Sequence, residues 1–271
     1  MKRITRLILI LGLLATVNAC APVQGQDFVI LYTNDIHSQI DPFTSGRDAG
    51  KGGLLTMSGY LEEVRREVPH VLYLDAGDYN QGTPYFNLFG GQLEVAYMNA
   101  AGLNATVLGN HEFDNGLDDL ANRLKKAGYT TLCANYTIDH PALRKIIKPY
   151  AIFKVGGHKV GVIGLTIDMY GLSSGKVLEQ MHYHDPEPIV NEYARKLRKK
   201  GCDFIVCLSH LGVEHDVRLG QQVRGVNAII GGHSHTFMEN PEIVTDLDGK
   251  PVTVTQTGAK GVYVGRMDVT F

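Results

Sequence analysis

Short apolar runs that stop abruptly at polar side chains recur along this chain, and five of them share one design. Phe28-Val-Ile-Leu-Tyr-Thr33 runs into Asp35 and His37, and Val71–Leu74 leads through Asp75-Ala-Gly to Asp78. Ala105–Leu108 breaks at Gly109 before Asn110, His111 and Asp114. Phe204–Leu208 delivers Ser209 and His210, and Ala228–Ile230 passes through Gly231-Gly232 to His233 and His235. Apolar runs this short, bounded by glycine and polar residues, read as buried strands. Between the first two, Leu54, Met57, Leu61, Val64 and Val68 step by three and four, which predicts a helix to about Val68, ended by Pro69.

Further helices are predicted over Gln92–Ala101, Leu117–Ala127, Glu187–Lys200 and, shorter, Asp216–Val223, with Gly128 and Gly201 as stops. Asp185-Pro186 reads as an N-cap followed by Pro at the first helical position. Thr131–Ala134 and Met181–Tyr183 read as strands, and Tyr150–Val155 with Lys159–Leu165 as a hairpin about Gly156-Gly157. Pro141–Lys148 reads as a connection, and Pro251–Thr257 with Gly261–Phe271 as two strands about Gly258–Gly261. Strands alternate with helices while hairpins recur. That predicts a single α/β domain built as a two-layer β-sandwich flanked by helices, an αββα arrangement rather than a doubly wound sheet. Strand C-termini form the functional edge of such sheets, so Asp, His and Asn from five strands should meet at one rim.

The first residues change the picture of the rest. Lys2, Arg3 and Arg6 precede an apolar stretch from Leu7 to Val17 that is too short to span a bilayer, so 1–19 reads as a secretory signal peptide. Leu14-Ala-Thr-Val-Asn-Ala-Cys20 resembles a bacterial lipobox, which makes Cys20 a lipid attachment site; ordinary cleavage after Ala19 is the alternative. The lipobox reading predicts an exported, periplasmic or outer-membrane lipoprotein of a bacterium. It would touch the membrane only through Cys20, with 20–27 as a tether and 28–271 as the folded domain. Losing the leader moves the net charge from −2 to −5, and no basic stripe remains, which argues against a nucleic-acid polymer as partner. Arg195-Lys-Leu-Arg-Lys-Lys200 reads as the solvated last turn of a helix, where the dipole favours cations. Cys133, Cys202 and Cys207 have no zinc-type spacing, and Cys202 and Cys207 are expected on opposite sides of one strand.

The polar residues at the strand ends carry the chemistry. Asp35-x-His37 places two side chains on one side of an extended segment. His233-x-His235 repeats that spacing, unless Ser234 turns the loop and sends the two imidazoles to different ions. One such pair is common without a metal; five strand ends bearing such groups point to a metal centre. The donors are nitrogen and oxygen with no thiolate, which suits zinc, manganese or iron. Asp78 can offer one oxygen to each of two cations, the two-metal arrangement of phosphate ester hydrolysis, in which a shared water becomes the nucleophile. His111 follows Asn110 directly, so its imidazole is expected to point away from the ion and toward substrate, oriented by Asp114. The same residues also read as a capped helix start. His182 and His184 alternate like a chelating pair and His70 starts a strand; all three read as structural.

Asp35-x-His37, Gly77-Asp78, Gly109-Asn-His-Glu-Phe-Asp114, Ser209-His210-Leu-Gly212 and Gly231-Gly-His-Ser-His235 match, in order, the signature of the calcineurin-like metallophosphatases. Leu31-Tyr-Thr-Asn-Asp-Ile-His37 and Asn110-His-Glu-Phe-Asp114 resemble the 5′-nucleotidase family, over nearly the whole chain after Cys20. The resemblance implies the αββα metallophosphatase fold, two divalent metal ions, and hydrolysis of nucleotides or other small phosphate esters. It implies Asp35, His37, Asp78 and His235 on one ion, Asp78, Asn110, His210 and His233 on the other, and a catalytic group of His111, Asp114 and Asn110. Some members have Gln where His235 stands, so metal preference can differ. Gly265–Phe271 matches the strand that ends the metal domain, and the family usually continues into a nucleoside-binding domain. A separately encoded domain of that kind is therefore an expected partner, while Tyr79 and Tyr85 offer an open stacking surface near the rim. The competing reading is a metal-bearing module that binds a partner protein without turnover. Intact Asn110, His111 and Asp114 argue against it.

Overall fold

Two sheets lie face to face between layers of helix in the computed structural model, which describes residues 27–271. The predicted leader, Cys20 and all of the tether except Asp27 lie outside the described residues. In spatial order the first sheet is β13 (Gly265–Val269), β1 (Phe28–Thr33), β2 (Val71–Asp75), β3 (Ala105–Val107) and β4 (Thr130–Leu132). All its pairs are parallel except β13 with β1. The second sheet is β11 (Glu242–Thr245), β12 (Pro251–Thr255), β10 (Ala228–Ile230), β9 (Phe204–His210), β7 (His158–Thr166) and β6 (Tyr150–Val155). Its two edge strands are antiparallel and its inner pairs parallel. A small ribbon joins β5 (Tyr136–Ile138) to β8 (Met181–Tyr183).

Burial on both faces explains the continuous apolar strands. Phe28, Ile30 and Tyr32 of β1 point into the sandwich with Leu72, Leu74 and Val107, and meet Val160, Val206 and Leu208 of the second sheet. Val29 and Leu31 point outward to Leu54, Met57, Leu61 and Val64 of α1 (Leu54–Glu67) and to Val95 and Met98 of α3 (Gln92–Ala100), which follows the short α2 (Pro84–Phe89). The second sheet mirrors this. Ile205 and Cys207 of β9 pack on Val190, Ala194 and Leu197 of α7 (Pro186–Lys199) and on Leu219 of α8 (Val213–Gln222). A separate cluster gathers α4 (Gly116–Leu124), α5 (Pro141–Ile146) and α6 (Gly175–Leu178) around β5 and β8. Each fully buried Val, Leu, Ile or Phe contributes about 1.5–3 kcal/mol of transfer free energy, so both faces of each central strand are fixed.

The long elements fall where the apolar periodicity puts them, and Asp185 caps α7 by accepting from Glu187 N–H. The differences have local causes. The two C-terminal strands do not pair with each other: β12 joins the second sheet, hairpinned with the unforeseen β11, while β13 joins the first. The segment between them therefore crosses the edge where the parallel strands end. Pro141–Lys148 contains α5, whose N-terminus is capped by the His140 ring. Like α2, it is only six residues long, too short for a helical stripe to register. Cys202 and Cys207 pack in the same helix-side core, because Cys202 sits in the turn before β9 and not on the strand; both, with Cys133, are free and buried. His182 lies 2.9 Å from Asp139 Oδ2, and His184 is hydrogen-bonded to Thr137 at 2.7 Å, both at the surface of the ribbon.

Candidate metal centre

β1, β2, β3, β9 and β10 end at one edge, and the residues expected there lie on the loops beyond them, except His210, which is the last residue of β9. Those loops are not extended as the Asp-x-His spacing suggests. Asp35, His37, Asp78, His233 and His235 all have φ between 50° and 74°. They are five of the eight non-glycine residues with positive φ among the described residues. This left-handed region costs a residue with a Cβ about 1–3 kcal/mol and persists only where the surroundings enforce it. Tight turns, not a shared strand face, aim these side chains inward.

The enforcing contacts are specific. Beyond the strands the first two loops continue as a ladder: Asp35 N–H donates to Gly77 O, His37 N–H to Asp78 O and Ser38 N–H to Tyr79 O, each at 2.9 Å. Asn34 Nδ2 donates to Asp35 Oδ2 and to Gly258 O, both at 2.6 Å, while Asn34 Oδ1 accepts from Thr257 N–H at 2.8 Å. The crossing segment between β12 and β13 thus braces Asp35. Gly109 is required by close approach, since a Cβ there would overlap the Asp78 carboxylate.

Donor atoms converge in three overlapping triads: Asp35, His37 and His235; His37, Asp78 and His111; Asp78, His210 and His233. Within each, the ligand atoms lie within 4.8 Å of one another. His37 Nε2 is 2.8 Å from His235 Nε2, and His235 Nε2 is 3.4 Å from Asp35 Oδ1. His210 Nε2 is 3.0 Å from Asp78 Oδ2, and Asn110 Oδ1 is 3.1 Å from His233 Nδ1. Donors at right angles around a cation at about 2.1 Å stand about 3.0 Å apart, so these spacings suit a shared ion. The turn at Ser234 does send His233 and His235 to different triads. Asp78 meets His37 in the middle triad and does not join the Asp35–His37–His235 group itself.

His210 shows that the cluster calls for positive charge. Its Nδ1–H donates to Ala76 O at 2.6 Å, and a carbonyl only accepts, so the tautomer is set. Nε2 is left buried with no hydrogen bond of acceptable geometry, although Asp78 Oδ2 is 3.0 Å away and Asp35 Oδ1 4.0 Å away. A bare lone pair against two carboxylates is repulsive unless a cation sits between them. Burial disfavours the imidazolium, yet Asp78 and Asp35 outweigh it and raise the pKa to about 10, so a proton binds tightly where a metal fits. Burial likewise opposes charge on Asp78, but His210 overrides it and holds that carboxyl far below its usual range. Burial pushes His37 down to about 4 against the pull of Asp78 and Asp35, and also lowers His233, so both offer neutral nitrogen lone pairs. This nitrogen and oxygen set without thiolate fits divalent zinc, manganese or iron.

His111 borders this cluster and does not turn away from it, as its place in the middle triad shows. Its Nδ1 is 2.8 Å from Asp114 Oδ2, a hydrogen bond that raises its pKa, and its backbone N–H donates to Asp78 Oδ1 at 2.9 Å. Tyr79 cannot stack on a substrate, because it is fully buried; Tyr85 is partly exposed and donates to Asp41. The exposed aromatic pair near His235 is Phe237 on Tyr263, stacked at 3.8 Å.

Glu112 carries no spacing or periodic signal, although it stands inside the Gly109–Asp114 motif. It is fully buried and accepts from Asp78 N–H at 2.9 Å, Gly109 N–H at 2.7 Å and Asn80 N–H at 3.3 Å. Burial and the charge of Asp78 push its pKa up to about 7 while these donors pull the other way. Arg123, only 2% exposed, donates Nη2 to Glu112 O at 2.7 Å and Nε to Asp119 at 2.7 Å. The pair ties the Asn110–His111 loop to the Asp78 loop.

A helix-flanked double sheet with Asp, Asn and His gathered at the strand ends is the metallophosphatase fold. The chain belongs to the calcineurin-like phosphoesterase family, whose model matches residues 28–237. Snake venom 5′-nucleotidase of Gloydius brevicauda is 36% identical over 271 residues, spanning 90% of this chain and 45% of that protein. The 5′-nucleotidase of Bos taurus is 35% identical over 270 residues, spanning 90% and 46%. The structure of the 5′-nucleotidase precursor from Thermus thermophilus superposes with a TM-score of 0.83 at 34% identity, over 90% of this chain and 51% of that one. The chain thus spans about half the length of the curated relatives it matches.

Removing the Glu112 carboxyl strands three buried backbone donors, each costing about 1–3 kcal/mol when left unsatisfied. Glu112→Ala should therefore lower unfolding free energy in urea by at least about 3 kcal/mol and weaken metal binding. A loss under about 1 kcal/mol would mean that the clamp is not structural.

Proposed function

We propose that this chain hydrolyses phosphate esters of nucleotides or similar small molecules at a centre of two divalent cations. The observation that carries this reading is the meeting of the donor triads at Asp78 and His37, with the His111–Asp114 pair on their border. Asp35, His37 and His235, with Asp78, would hold one ion; Asp78, Asn110, His210 and His233 would hold the other. When bound, such ions supply a water of lowered pKa and positive charge against the phosphoryl oxygens.

The residues around them do the rest. With Nδ1 committed to Asp114, His111 presents Nε2 to the substrate. The hydrogen bond to Asp114 raises its pKa and so favours the protonated ring, which would donate its Nε2 proton to the leaving oxygen as the phosphorus–oxygen bond breaks. Asp114 orients the ring and stabilises its charge. Leu14–Cys20 supports export and lipid attachment at Cys20, which would place the reaction outside the cytoplasm. A separately encoded nucleoside-binding domain docking over the metal edge would supply base recognition.

His111→Ala should keep both metals and lower kcat roughly 10²–10⁴-fold on AMP. The loss should be smaller on p-nitrophenyl phosphate, whose leaving group needs little protonation. Loss of metal in this variant would instead make His111 a ligand.

The metals and His111 grip only the phosphoryl end of a nucleotide, and tight base recognition needs an enclosed aromatic pocket. Residues 1–271 alone should hydrolyse AMP, GMP and CMP with high KM, low kcat and little preference, because remote binding energy is missing. A micromolar KM with strong base discrimination would contradict this.

A further inference from the structure

The face opposite the metal edge is where the chain enters the fold and where unpaired cations gather. β1 starts at Phe28 and its ligands lie beyond Thr33, so about 20 Å of strand separates the entry point from the metal edge. The entry point and the end of α7 are linked through His158. His158 Nε2 is 3.9 Å from Asp27 Oδ2 and its Nδ1 is 3.7 Å from Asp203 Oδ2. Lys159 N–H then donates to Asp203 at 2.9 Å, and Lys159 Nζ to Lys200 O at 3.2 Å.

Around this junction stand Lys154 and Lys159, cross-strand partners in the β6–β7 hairpin, and Arg195, Arg198, Lys199 and Lys200 at the end of α7, Arg198 donating to Asp203 O at 2.7 Å. All but Lys159 are exposed, and none forms an ion pair among the described residues. Lys196 turns away from this junction, its Nζ lying over the rings of Tyr150 and Tyr193 at 5.3 and 5.4 Å. Asp27 and Asp203 flank His158, Glu192 lies beside Arg195 and Lys199, and Asp268, next to the entry point on β13, is paired with Arg266. Contacts with His158 apart, six cations therefore face three unpaired carboxylates in a chain whose net charge is −2. The helix dipole accounts for cations in the last turn of α7. It does not account for Lys154 and Lys159, which lie on another element and add to the same patch.

We propose that this face rests on an anionic phospholipid surface, with the metal edge directed away from the bilayer. Two independent features meet here: the positive patch, and chain entry seven residues after the lipid-attachment candidate Cys20. Seven residues reach at most about 25 Å, so a chain anchored at Cys20 holds this face near the headgroups. Lipid anchor and basic patch are the two signals that together give stable attachment. Each cation near an anionic surface strengthens binding about fivefold.

The surface contact is tested without the anchor, so that a failure of the Cys20 reading and a failure of the patch are distinguishable. The chain from Ala21 onward keeps both sheets and all four core clusters. It should bind vesicles containing about one-third phosphatidylglycerol at least about tenfold tighter than pure phosphatidylcholine at low salt, and release at high salt. Arg195→Gln, Lys199→Gln and Lys200→Gln combined should abolish that preference at unchanged Tm and metal content. Arg144→Gln, Lys145→Gln and Lys148→Gln combined, before the other end of β6, should preserve it. Absence of any preference for phosphatidylglycerol, or equal loss in the two triple variants, overturns the proposal.

Discussion

Asp35 and Asp78 carry charge in a small volume almost closed to solvent, and the surrounding structure answers that constraint. A buried carboxylate is costly and two neighbours repel. Backbone and amide donors meet part of the demand: Asn34 and His233 N–H serve Asp35, and His111 N–H serves Asp78. They leave a deficit of positive charge, seen in the buried His210 Nε2 that has no hydrogen-bond partner beside the two carboxylates and in the raised His210 pKa. The electrostatics that burden the protein without metal are the same that make the edge attract cations.

Strain at the edge rests on rigidity below it. Five expected ligands occupy left-handed turns, which relax unless their neighbours are fixed. β1 and β9 are packed on both faces, the ladder between the first two loops extends past the strands, and Glu112 ties the third loop to the second. The segment crossing from β12 to β13 closes the arrangement through Asn34. A cation reaching this edge therefore meets donors already in place, with little reorganisation left to make.

The strand and helix pattern was legible because apolar periodicity reports burial directly, as at α1 and β1. The site was legible at the level of membership: Asp35, His37, Asp78, Asn110, His111, Asp114, His210, His233 and His235 do come together at one edge. How they come together was not. Spacing suggested an extended Asp-x-His segment, whereas the chain uses left-handed turns that no local residue preference demands. Glu112 and Arg123 stayed hidden because a buried carboxylate or guanidinium looks like a surface charge until its partners, distant in sequence, are known. Tyr79 failed for the complementary reason, an aromatic beside a ligand being as easily core as platform. The fates of β12 and β13 depended on which sheet each strand joined, a non-local choice that no window of sequence contains.

Two divalent cations around Asp78 are what the donors at this edge are proposed to hold. Crystals grown with Mn²⁺ and measured for anomalous scattering test this directly. Two peaks are expected about 3.5–4 Å apart, one against Asp35, His37 and His235, the other against Asp78, His210 and His233. A single peak at saturating metal, or peaks away from this edge, would contradict the proposal.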